Sequence, residues 1–78
     1  MTIQYIFGNI LKQIRENRGI SQEKLAFDSS LDRTYISMLE RGKRKPTINT
    51  IFSICNALHM KPSELLQLVE LEFDNQPH

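Results

Sequence analysis

At 78 residues, with one cysteine and a formal net charge of +1, the chain has room for a single domain and no internal disulfide to brace it. No run of residues approaches the roughly 20 apolar positions a membrane span needs. The stretch from Met1 to Leu11 has no basic start and is interrupted by Gln4, Gly8 and Asn9, unlike a signal peptide. An anchored or disulfide-stapled protein is therefore not expected, and a reducing cytoplasm is the expected setting.

Taken in chain order, the apolar residues follow a helical period. Ile3, Ile6, Phe7, Ile10, Leu11 and Ile14 share one face of a first helix that ends before Gly19. Ser21 is a natural N-cap for a short second helix with Leu25 and Ala26 inward, broken by Asp28, Ser29 and Ser30. Asp32 caps a third helix that turns Ile36 and Leu39 inward and stops at Gly42. Residues 41 to 46 then form a basic loop. Thr47 caps a fourth helix with a stripe of Ile48, Ile51, Phe52, Cys55 and Leu58. Pro62, well tolerated at a first helical position, opens a fifth carrying Leu65, Leu66, Leu68, Val69 and Leu71. The reading is an all-α, compact five-helix domain over residues 1–73, with residues 74–78 as a frayed tail.

The second and third helices are the informative pair. Counting from Gln22, a small residue falls at the fifth position, Ala26, with apolar anchors at the fifteenth, Ile36, and the eighteenth, Leu39. Close backbone approach at Ala26, with Ile36 and Leu39 pinning the next helix, is the packing logic of a helix-turn-helix, whose second helix protrudes. Charge is split to match. Residues 12–45 carry nine cations against five anions, whereas residues 46–78 carry Lys61 against four carboxylates. Such a distribution presents an electropositive end to a polyanion.

The run Gly19 to Ala26, then Leu31 to Gly42, then Pro46-Thr47, resembles the Cro/cI-type helix-turn-helix family of phage repressors and bacterial regulators. Within that family, Leu31-Asp32-Arg33-Thr34-Tyr35-Ile36-Ser37 and Leu39-Glu40-Arg41 look most like the controller proteins of restriction–modification systems. The likeness spans about residues 6 to 71. It implies a lambda-repressor-like domain acting as a homodimer on double-stranded DNA, with no cofactor or small-molecule substrate. One position departs from the family pattern. The ninth residue of the motif, usually a glycine at positive φ, is Ser30, a strain on the order of 1 kcal/mol.

With Ile36 and Leu39 inward, the residues left to face a major groove are Arg33, Thr34, Ser37 and, further round, Met38. Arg33 is suited to a bidentate contact with guanine, Thr34 to a base or a thymine methyl, and Ser37 to a base or phosphate. In the resembling regulators these motif positions touch bases. Gln22, Tyr35, Lys43, Arg44, Lys45, Thr47 and Asn49 are the expected phosphate contacts. Glu40, in the last turn of the third helix, opposes the helix dipole and needs a partner. Arg15 is the candidate, and the resembling repressors place an ion pair across these positions.

Apolar residues in excess of one core suggest a dimer interface built from Ile54, Ala57, Leu68, Val69 and Leu71. Cys55, His59 and His78 lack the spacing of a metal site, and Cys55 reads as a small core residue. No catalytic constellation or phosphate-cradling glycine loop is present, so an enzyme is not expected. The alternatives are a phage-type repressor, or an antitoxin or other protein-interaction module built on the same motif.

Overall fold

The computed structural model describes residues 1–77. Their helices are α1 (Ile3–Asn17), α2 (Gln22–Ser29), α3 (Arg33–Glu40), α4 (Ile48–Ala57) and α5 (Pro62–Asp74), with no strand among the described residues. Each start has a chemical cause. The hydroxyls of Thr2, Ser21 and Thr47 accept from the backbone N–H three residues on, and Asp32 accepts from the N–H of Thr34. Before α5, the Lys61 N–H donates to the Glu64 carboxylate at 2.8 Å and Pro62 opens the helix. These contacts satisfy donors that a helix start leaves unpaired.

The ends are as definite. Gly19 and Gly42 adopt positive φ after α1 and α3, and the N–H groups of Ile20 and Lys43 reach back to the carbonyls of Arg15 and Met38. Ser30 closes α2 in the left-handed conformation, φ 58° and ψ 36°, as its place in the motif implies. Leu31 N–H bonds the Ala26 carbonyl across this turn, and three residues separate α2 from α3.

The core joins Ile6, Phe7 and Leu11 of α1, Leu25 and Ala26 of α2, and Ile36 and Leu39 of α3. Ile54 and Cys55 of α4, Leu58 just beyond it, and Leu65 and Val69 of α5 complete it. Gly8 sets how closely α1 and α3 approach. A Cβ there would lie 2.1 Å from the Leu39 carbonyl oxygen and 2.8 Å from that of Glu40.

Three expectations change. On α4 the buried stripe is turned toward Ile54 and away from Ile48 and Phe52, which are 72% and 59% exposed. The reason is Thr50, which is buried beneath the helix start and bonded to α3, so that side of α4 faces inward. On α1, Ile3 is half exposed because it lies at the helix start, beyond the reach of the core. At the other end, α5 runs through Asp74 and the Gln76 amide donates to Glu72, so the stretch expected to fray begins inside a helix. His78 lies outside the described residues.

Candidate nucleic-acid interface

Helix α3 is anchored from beneath. Ile36 and Leu39 are fully buried, while Arg33 and Thr34 at its amino-terminal end are exposed and Ser37 and Met38 are half-buried. The four expected base-reading side chains therefore all reach the surface of one short helix. No side-chain hydrogen bond or ion pair holds Arg33 among the described residues, leaving its guanidinium free for a ligand.

The surroundings of α3 are polar and organised. The Tyr35 hydroxyl and Thr50 Oγ1 are 3.2 Å apart. Thr47 Oγ1 donates to Thr50 Oγ1 at 3.0 Å and accepts the Thr50 N–H at 3.1 Å. This chain of hydroxyls ties α3 to the first turn of α4. Arg44 lies over the Tyr35 ring, 5.5 Å from its centroid, a cation–π contact that holds one residue of the basic loop against α3. Lys43, Lys45 and Asn49 are exposed. Thr50 is the participant that sequence reasoning missed. Its spacing from Thr47 was visible, but nothing local indicates that it lies under Tyr35.

The expected ion pair is present and is bidentate. Arg15 Nε donates to Glu40 Oε2 at 2.6 Å, and Arg15 Nη2 to Oε1 at 2.9 Å. Arg15 Nη1 also donates to the Ile20 carbonyl at 2.8 Å. The hydrogen-bonded Glu40 carboxylate holds the Arg15 guanidinium above its ordinary pKa, against the opposing effect of burial. The pair joins α1 to the end of α3. Gln22, an expected phosphate contact, is also hydrogen-bonded within the chain. Its Nε2 donates to Glu40 Oε1 at 3.0 Å, a link between α2 and α3 for which the sequence held no signal. Arg18 donates to the Leu58 carbonyl, another contact not foreseen.

The proposed dimer surface needs correction. Ile54 and Val69 are buried within the single chain, at 0% and 4% exposure, because they supply the contact of α4 and α5 with the core. Ala57 is half-buried, whereas Leu68 and Leu71 are exposed. On α4 and α5 the large apolar side chains left open are Ile48, Phe52, Leu66, Leu68 and Leu71; elsewhere Phe27 of α2, Ile3 and Tyr5 of α1 and Met1 are exposed as well. Leu66 borders an open cleft whose lining also includes Ile3, Phe7, Lys45 and Ile51. No helix among the described residues is long and apolar enough to cross a membrane.

Comparison with known proteins agrees with this geometry. The helix-turn-helix family signature matches residues 11–65. The chain is 43% identical over 70 residues to the control protein C.BamHI of Bacillus amyloliquefaciens, a match covering 88% of this chain and 86% of that one. It superposes on the restriction–modification controller protein C.AhdI from Aeromonas hydrophila with a TM-score of 0.78 at 42% identity, over 80% of this chain and 94% of the other. The controller protein C.Esp1396I, solved as a tetramer in complex with its natural 35 base-pair operator, matches with a TM-score of 0.84 at 33% identity, over 92% and 95% of the two chains. With the turn at Ser30, the anchors at Ile36 and Leu39 and these likenesses together, the chain belongs to the Cro/cI-type helix-turn-helix family and is similar to its restriction–modification controllers.

Proposed function

We propose that this protein is a sequence-specific double-stranded-DNA-binding transcriptional regulator that controls restriction–modification gene expression, acting in the cytoplasm as a homodimer on a two-fold operator. The observation that carries the reading is the split character of α3, with Ile36 and Leu39 sealed in the core and Arg33 and Thr34 exposed on its first turn. A major groove admits one helix and is read by side chains near that helix's amino terminus. Arg33, Thr34, Ser37 and Met38 are assigned to bases. Tyr35, Lys43, Arg44, Lys45, Thr47, Asn49 and Gln22 are assigned to the phosphate rim, which supplies affinity without sequence information.

The dimer surface is reassigned to Ile48, Phe52, Leu66, Leu68 and Leu71, the large apolar side chains that the monomer leaves exposed on α4 and α5. Two copies joined there would present two α3 helices to half-sites about 10 base pairs apart. Selection of bound duplexes from a random pool tests the reading. Enrichment of a two-fold palindrome is expected. Enrichment of a single asymmetric half-site would contradict the dimer, and no enrichment would contradict sequence-specific DNA binding.

A further inference from the structure

Among the side chains assigned to phosphates, Gln22 is held by a charged group. Glu40 Oε1 accepts from both Arg15 Nη2, at 2.9 Å, and Gln22 Nε2, at 3.0 Å. The carboxylate itself cannot turn, because Arg15 grips both of its oxygens and the Glu40 side chain is only 2% exposed. Arg15 is fixed in turn by the Ile20 carbonyl. A glutamine on a half-exposed helix start would ordinarily sample many rotamers, and ordering it on binding opposes affinity. Here one N–H is already committed, so the amide plane and the direction of its second N–H are set before any ligand arrives.

The arrangement is more than structural economy requires. Arg15 and Glu40 satisfy one another without Gln22, and Gln22, half-buried, could be solvated by water. A bare carboxylate near a phosphate rim would repel it. Bidentate pairing with Arg15 offsets that charge, and Gln22 covers the oxygen with an amide. We infer that Glu40 is a positioning residue for DNA binding, aiming the free N–H of Gln22 at a phosphate oxygen. The inference rests on the DNA-binding reading above.

A mutational cycle tests it, using a duplex that carries the selected site and fluorescence anisotropy at fixed salt. Arg15→Met/Glu40→Met replaces the buried pair by apolar groups of similar length, a change that buried ion pairs often tolerate. Circular dichroism would establish that the variant is folded. Gln22→Ala alone is expected to weaken binding about tenfold, in the range of a hydrogen bond to a charged group. The double variant should lose a similar factor, and adding Gln22→Ala to it should cost under about twofold more, because an unaimed glutamine has little left to lose. Additive losses would overturn the proposal, leaving the pair a purely structural brace. Unchanged binding by Gln22→Ala would overturn it too, while leaving the DNA reading intact. A wild-type chain that binds no duplex would remove the DNA reading itself. Should the double variant fail to fold, NMR relaxation of the wild-type Gln22 side-chain amide decides. An order parameter near the rigid-backbone value of about 0.85 supports positioning, and one below about 0.6 overturns it.

Discussion

Gly8 on α1 lies against the backbone of Leu39 near the end of α3, so close that a β-carbon on Gly8 would stand 2.1 Å from the Leu39 carbonyl oxygen. The obstacle is backbone on both sides and cannot be relieved by a side-chain rotation. The depth at which α3 seats on its scaffold is therefore set by a missing side chain. Glycine inside a helix costs about 1 kcal/mol relative to alanine, so on propensity alone Gly8→Ala would stabilise the domain. Overpacking of this severity outweighs that gain. Gly8→Ala is expected to destabilise by about 3 kcal/mol or more, read by denaturant unfolding. An unchanged or raised midpoint would mean that α1 and α3 separate without cost.

Glu40 and Arg15 make a second bond between the same two helices. Removing one partner leaves an uncompensated charge in a site where both side chains are at most 10% exposed. Glu40→Ala should cost about 3–5 kcal/mol, a large share of the stability of so small a domain. Thermal unfolding measures it, and an unaltered melting temperature would refute the bracing role.

Base reading and phosphate binding separate by their salt dependence. Arg33→Ala is expected to lose about 1–3 kcal/mol of specific binding and to relax preference at one base pair. Arg44→Ala should weaken all duplexes alike and reduce the slope of log affinity against log salt by about 1. Titrations of cognate and scrambled duplexes at several salt concentrations distinguish the two. Equal losses on both duplexes for Arg33→Ala would move that residue to the phosphate rim. Since Arg44 also covers the Tyr35 ring, Arg44→Lys, which keeps charge but loses planar stacking, should retain the salt slope.

The points that were legible in the sequence are those decided by local chemistry. Ser21, Asp32 and Thr47 cap helices because a short oxygen-bearing side chain next to a periodic apolar run has few other uses, and each does so here. Ile36 and Leu39 were legible because every other side chain of α3 except Met38 carries a polar group. Helix α4 was not, since Ile48, Ile51, Phe52, Ile54, Cys55 and Ala57 make it apolar nearly all round, and period alone cannot choose a phase. The choice is made by α3, whose Tyr35 bonds Thr50 and turns that side of α4 inward. For the same reason Ile54 passed for surface and Phe52 for core. The Gln22–Glu40 bond and the Gly8 approach were equally hidden, because both depend on how distant helices cross.

That rotation of α4 makes the dimer reading testable at single residues. Phe52 and Ile48 are exposed in the monomer, whereas Ile54 is sealed. Phe52→Glu should leave the helical content unchanged and shift sedimentation equilibrium toward the monomer, because a charge would have to be desolvated at the contact. Ile54→Ala should instead lower stability by about 2–5 kcal/mol through the cavity it leaves. If Phe52→Glu stays fully dimeric at micromolar concentration, the interface lies elsewhere.

Cys55 offers a probe of the same core. It is fully buried, and burial, with a smaller contribution from nearby Glu64, pushes its thiol pKa up. In the unfolded chain the thiol titrates near its ordinary value of about 8.5. Between that value and the higher folded one, the unfolded state has shed a proton that the folded state keeps. Stability contributed by the neutral thiol is thus fully present below about pH 8.5 and declines as pH rises toward the folded pKa. Unfolding free energies of the wild type and Cys55→Ala, measured from pH 7.5 to 10.5, should converge as pH rises, with the tyrosines and lysines common to both. Parallel curves would show that the thiol ionises equally in both states. A thiol reagent offers an independent check, since reaction should be slow in the folded protein and fast in denaturant. Rapid labelling under native conditions would mean that the contact between α4 and the rest of the core opens readily, and α3 would then lack the rigid seat that groove reading requires.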